Sequence, residues 1–151
     1  MSLFILGFFF SSHLFSQTVT ITSPTVVTTY TAGTTVNLTY SLSPATFTAG
    51  NVFTPQLSDA SGSFTSPVSL ATRTANTGAT GTQHQIVIPF NTPTGSGYRI
   101  RVLSSNPATT SANNGANLTI NALAINTPTA ASSTLCQGEV LNLNYSQNGP
   151  F

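Results

Sequence analysis

Residues Gly97 to Pro107 read GYRIRVLSSNP, and the alternation of Tyr98, Ile100 and Val102 with Arg99 and Arg101 decides the fold. Successive side chains of a strand point to opposite faces, so this spacing places three apolar groups on one face and both arginines on the other. A helix would repeat its apolar positions at 3.6 residues instead. The same period of two recurs along the chain. It pairs Val19 with Ile21 in TVTIT, and aligns Val36, Leu38 and Tyr40 in TVNLTYS. It aligns Phe53, Pro55 and Leu57 in VFTPQLS, and marks Val68 and Leu70. It continues through Ile86, Ile88 and Phe90 in QIVIPF, and through Leu118 and Ile120 in NLTIN. About seven strands result, separated by breaker-rich connectors such as SDASGSF, NTGATGT and NTPTGSG, with a strong turn signal at Asn114-Gly115. The predicted class is all-β, an antiparallel β-sandwich.

Composition narrows the function classes. Only 3% of the 151 residues are charged, against roughly a quarter in an ordinary soluble protein. The acids are Asp59 and Glu139, the bases are Arg73, Arg99 and Arg101, lysine is absent, and the net charge is +1. Nucleic-acid binding requires a set of cations to neutralise phosphates, so that class is excluded. Abundant Val, Ile, Thr, Phe and Tyr argue for a folded β chain over a disordered one. A surface of hydroxyls and amides suits an exported module.

The start, MSLFILGFFFSSHLFSQ, has an apolar run from Leu3 to Phe10 that is too short to span a bilayer. It reads as a secretory signal over residues 1–17, although no Lys or Arg precedes the run. No later stretch reaches transmembrane length. The single cysteine, Cys136, allows no disulfide within the chain. An internal repeat follows: ITSPTVVTTYTAGTTVNLTYS from Ile21 is echoed by INTPTAASSTLCQGEVLNLNYS from Ile125. Gly33, Asn37, Leu38, Tyr40 and Ser41 align with Gly138, Asn142, Leu143, Tyr145 and Ser146. The expected organisation is a sandwich domain over 18–122 and the truncated start of a second one over 123–151. Two strands alone bury no core, so a piece of a longer multi-domain protein is expected.

The runs AGNVFTPQLSDASGSFTSPVSLAT, IPFNTPTGSGYRIRVLSSNP and NNGANLTI, followed by LCQGEVLNLNYSQNG, resemble a known type of domain. It is the Ig-like, fibronectin-type-III-like module repeated in large secreted surface proteins of Bacteroidetes-type bacteria. The resemblance covers roughly Gln17 to Asn121. It implies an Ig-like sandwich, a spacer or adhesive role, and neighbouring Ig-like domains of the same parent chain as partners. Surface polysaccharide or protein would be further partners. Relatives often leave the cell by a route that reads a separate C-terminal domain, which is not visible here. Independently of the resemblance, Tyr98 fits the corner tyrosine of such sandwiches, whose hydroxyl bonds backbone a few residues upstream. With the antibody tryptophan and disulfide absent, Phe53, Phe64, Phe90 and Tyr40 are expected to supply the aromatic core.

Candidate sites are few. Arg99 and Arg101 form either a solvated strand face or a contact for carboxylate or sulfate, which guanidinium forks suit. His84 opens the HQIVIPF strand, and Asp59 in SDASGS reads as a turn that caps its own backbone. No Gly-x-Ser-x-Gly elbow accompanies them. Two histidines, one of them in the presumed signal, make no zinc site, and one Asp makes no calcium site. No cofactor is expected. Asn37 and Asn117 match the glycosylation pattern and alternate outward. The leading expectation is a non-catalytic extracellular module of a larger secreted or cell-surface protein. Its fold would rest on Tyr98, Ile100, Val102, Leu38, Tyr40, Phe53, Leu57, Ile86 and Ile88. The alternative is a carbohydrate-binding accessory module of a secreted glycan-degrading enzyme, with Tyr30, Phe47 and Phe64 as sugar-stacking candidates, although core or loop packing is the leading expectation for each.

Overall fold

The computed structural model describes residues 17–124, together with 129–130 and 143–144; residues 1–16 of the expected signal, Cys136, Glu139 and most of the expected second domain lie outside the described residues. The strands are β1 (Thr18–Ser23), β2 (Thr28–Thr31), β3 (Thr35–Asn37), β4 (Thr39–Ser43), β5 (Val52–Leu57), β6 (Val68–Ser69) and β7 (Arg73–Thr74). They continue as β8 (Gln85–Val87), β9 (Gly95–Tyr98), β10 (Ile100–Ser105), β11 (Ala108–Thr110) and β12 (Leu118–Asn121). Beyond Ala124, β13 (Thr129–Ala130) pairs antiparallel with β14 (Leu143–Asn144). There is no helix among the described residues.

The all-β sandwich expected from period two is present. One layer holds β1 against β4 and β3 against β8, with β3 and β4 two halves of a run interrupted at Leu38. The other holds β2, β12 and β9, then β11, β10 and β5, with β6 and β7 on the outer side of β5. Here β9 and β10 are one run interrupted at Arg99. All pairs are antiparallel except β2–β12, whose strands run parallel from Leu118 beside Thr28 to Asn121 beside Thr31. The count exceeds the expected seven because side chains and turns cut long runs into pieces. At the Arg99 break, Ser58 Oγ accepts from Arg99 N at 2.7 Å while Ser58 N donates to Arg99 O at 2.9 Å.

The alternating positions meet between the layers. Val19, Ile21, Val36, Leu38, Tyr40, Ile86 and Ile88 face Phe53, Leu57, Tyr98, Ile100, Val102, Leu118 and Ile120, all buried. Tyr40 and Phe53 cross the gap with ring centroids 4.9 Å apart. Pro55 is buried in β5 opposite Val102. Val102 spends its own N–H and C=O on Ser111, not on Pro55. The proline's missing donor therefore faces the gap between β6 and β7, where proline is tolerated. Tyr98 Oη donates to Pro93 O at 2.8 Å, the corner bond read from the sequence.

Two aromatic assignments are corrected. Phe90 is 68% exposed, not core. β8 ends at Val87, and Thr92 closes a turn on Pro89 O through both its N–H and its hydroxyl, which rolls Phe90 outward over Gly33. Phe64 is half-buried on the outside of the sheet. Phe47, a sugar-stacking candidate only in the alternative reading and otherwise expected to pack in the core or a loop, is 5% exposed and lies 6.1 Å from Phe53. The core aromatics are thus Tyr40, Phe47, Phe53 and Tyr98. Val68, expected in phase with buried Leu70, is also exposed, because β6 is a two-residue edge strand.

The registers fix where the chain enters and leaves. Thr18 pairs with Ser43 at the end of β4, the pole that also carries Val52 and Ser105. Asn121 lies beside Thr31 near Gly95, at the pole of Thr35, Leu57 and Ile88. Entry and exit therefore sit at opposite ends of the sandwich. The Gly95–Ser105 run spans roughly 35 Å between the poles at about 3.3 Å per residue.

Candidate functional site

Four places hold polar chemistry in this nearly uncharged domain. The first is the outer face of β5 and β10, where the two arginines lie. Arg101 stands opposite Gln56, and its Nε donates to Gln56 Oε1 at 2.8 Å. Its guanidinium carbon lies 4.4 Å from the centroid of the Phe64 ring, a cation–π stack. Arg99 donates from Nη1 to Asn113 Oδ1 at 3.4 Å, a long bond. Both are half-buried, so the face is neither a plain solvated strand nor an enclosed pocket. The Phe64 contact comes from a loop and has no sequence signal of its own.

That loop is shaped by Asp59. Its Oδ1 accepts from Ser61 N at 2.9 Å, Ser61 Oγ at 2.7 Å and Ser63 N at 2.9 Å, which is the self-capping turn read from SDASGS. The Ser61 side chain and then the Ser63 backbone hold its carboxyl below the usual carboxylate range. No guanidinium takes part. Asp59 also borders a half-open cleft of about 330 Å³ between the 58–68 and 89–93 loops, lined by Leu57, Val68, Pro89, Pro93 and Tyr98.

The third place is His84, buried at 3% exposure just before β8 rather than opening the strand. Its Nε2 lies 2.8 Å from Ala71 O, a group that only accepts, so Nε2 carries the proton. Nδ1 is then the acceptor, and Tyr40 Oη donates to it at 3.0 Å. Both ring nitrogens are occupied within the fold, and Asp59 is bound elsewhere, so Ser, His and Asp are not brought together. Arg73 closes the fourth place, donating from Nη1 to Thr77 O at 2.9 Å and Gly78 O at 3.3 Å. Among the described residues no cluster of His, Cys, Asp and Glu could hold a metal ion. No helix there is long and apolar enough to cross a membrane. Asn37 and Asn117 are exposed.

Burial, first, and the nearby Arg73 charge press the His84 imidazole below its ordinary value of 6.5, while the bond to Ala71 O works against them. The unfolded chain then binds a proton near pH 6.5 before the folded one does. Stability is full above that pH and is lost as pH falls toward the depressed folded value. We expect a lower urea midpoint at pH 5 than at pH 7.5 for the full chain, and a flatter profile in His84→Gln. Equal midpoints for wild type would show that the imidazole is not kept neutral by the fold.

No protein-family model matches the chain, and no curated protein does.

Proposed function

We propose that this chain belongs to a non-catalytic, exported module of Ig-like type, one of a series in a larger secreted or cell-surface protein, where it spaces or attaches its neighbours. The observation that carries this reading is the placement of entry and exit at opposite poles. Domains joined through such ends extend in line, and a copy beginning near Ile125 would continue the axis. The surface supports it as well: hydroxyls and amides with one Asp and three Arg among the described residues give solubility with little electrostatic steering. His84 and Asp59 serve the fold through completed hydrogen bonds, which supports a role without chemistry at a pocket. The sugar-stacking alternative loses Phe47 to the core.

Fractionation of source cells, blotted with an antibody to the 18–122 domain, tests the reading. The expected result is a band well above 15.7 kDa in the surface or medium fraction. A band only near 15.7 kDa, or one confined to the cytosol, would overturn it.

A further inference from the structure

We propose that Arg99 and Arg101 form a docking site for the carboxylate or sulfate groups of an acidic polysaccharide. The proposal gives a ligand to the adhesive side of the module reading. The two can fail separately, because polymer binding is measured on this chain alone and serial arrangement on its parent.

Three observations carry it. The first is uncompensated charge. Asp59 is the one acid among the described residues, and its carboxylate is held by Ser61 and Ser63 with no guanidinium contribution. Arg73 spends its guanidinium on backbone carbonyls in another loop. Arg99 and Arg101 therefore present positive charge on one face with no carboxylate partner among the described residues.

The second is preorganisation. Arg101 is fixed from one side by Gln56 and from below by Phe64. Among the described residues only its Nε is hydrogen-bonded, and no buried side-chain nitrogen or oxygen lacks a partner. Its two terminal nitrogens therefore face water, with their donors available. By the same reasoning Arg99, bonded among the described residues through Nη1 alone, keeps Nε and Nη2 toward solvent. The stem of Arg99 runs along Gly62, where an added Cβ would come within 3.4 Å of Arg99 Cγ and 3.2 Å of Gly97 O, at a φ of +85°. A glycine there lets the Asp59 loop lie against both arginines. Side chains already held in place lose less freedom on binding.

The third is the character of the surroundings. Residues two apart on a strand are about 6.8 Å apart, so the pair offers two forks in a row to a repeating polyanion. The polar neighbours are Gln56, Asn113 and Thr54, amides and a hydroxyl that can bond sugar hydroxyls, beside half-buried Leu103 and Phe64. A protein partner would need, beside arginines, an exposed aromatic anchor and a dry apolar centre around it. Of the large exposed apolar side chains, Val26, Val27, Phe90 and Leu123 belong to the approach to β2 and to the exit pole, Val87 lies on β8 of the other layer, and Val68 on β6 pairs with Leu57 and so points to the opposite face of the sheet. Two cations are too few for nucleic acid.

The test is affinity electrophoresis of the full chain at low ionic strength through gels holding polygalacturonate, dextran sulfate, polyglutamate or neutral dextran. Expected is retardation by one or both acidic polysaccharides, with none by neutral dextran. The two acidic arms tell carboxylate from sulfate. Arg99→Gln with Arg101→Gln should weaken binding roughly tenfold or more, as loss of charge-assisted bonds does. A thermal melt checks that the double variant folds. Should it not fold, Arg101→Lys carries the test, since it keeps the charge and loses the fork, and weaker retardation is expected. The proposal is overturned by absence of retardation in both acidic polysaccharides or by equal retardation in neutral dextran. It is also overturned by retardation in polyglutamate alone, or by variants that bind as well as wild type.

Discussion

Phe53→Ala is expected to remove about 3–5 kcal/mol of folding stability, the range for truncating a fully buried aromatic. Phe53 is 0% exposed and touches both layers, with Tyr40 at 4.9 Å and Phe47 at 6.1 Å. Alanine would strand both rings around a void, because they are held by strands and a bridged loop and cannot collapse onto one another. A domain of this size commonly has only about 5–15 kcal/mol in hand, so one such loss takes much of it. Urea unfolding of the full chain, followed by tyrosine fluorescence, reads the change directly. Phe90→Ala is the matched control: its ring is exposed, and the expected change is within about 0.5 kcal/mol. Similar costs at the two positions would mean that the core has been misplaced.

Asn51→Ala is the second large effect, at about 2–4 kcal/mol, built from several buried groups left without partners. Asn51 is fully buried beside the entry pole. Its Oδ1 accepts from Ser104 Oγ at 2.7 Å, from Asn106 N at 2.7 Å and from Ser105 Oγ at 3.3 Å. Its Nδ2 donates to Ala75 O at 3.3 Å. One side chain thus ties the start of β5 to the turn between β10 and β11 and to the segment after β7. The urea midpoint should fall, and the Asn106 amide should exchange faster than in wild type by more than the global loss explains. A variant as stable as wild type would show that water takes over these bonds without cost.

These two residues differ in how far the sequence could reveal them. Phe53 was legible because a strand needs nothing but period two to assign its faces, and Leu57, Ile100 and Val102 follow in the same way. Asn51 ends the turn-like TAGN, and its partners lie far along the chain, so no local pattern marks it. The same limit applies to Asn114, read as a turn residue. Its Oδ1 in fact accepts from Ile100 N and completes a ladder that lacks a strand there. Phe90 was misplaced because alternation carries on through Pro89 in the sequence, whereas the chain turns at that proline. Phe47 sits in SPATFTAG, which has no period, and is drawn inward by the Thr46–Thr77 bridge and the bond from its N–H to Asn76 O. At the candidate site, the outward facing of Arg99 and Arg101 was legible. The Phe64 platform and the Asp59-shaped loop beneath them were not, since both depend on how a loop folds back over the sheet.

The opposite-pole placement of entry and exit has a mechanical consequence. A pull applied between Thr18 and Asn121 acts along the strands, because β1 begins at one end of the sandwich and β12 finishes at the other. The hydrogen bonds joining β1 to β4 and β12 to β2 and β9 lie across that direction. Tension therefore shears each ladder as a whole and cannot peel it open one rung at a time. Rupture then requires several bonds to fail together, which makes this geometry resistant to force out of proportion to its equilibrium stability.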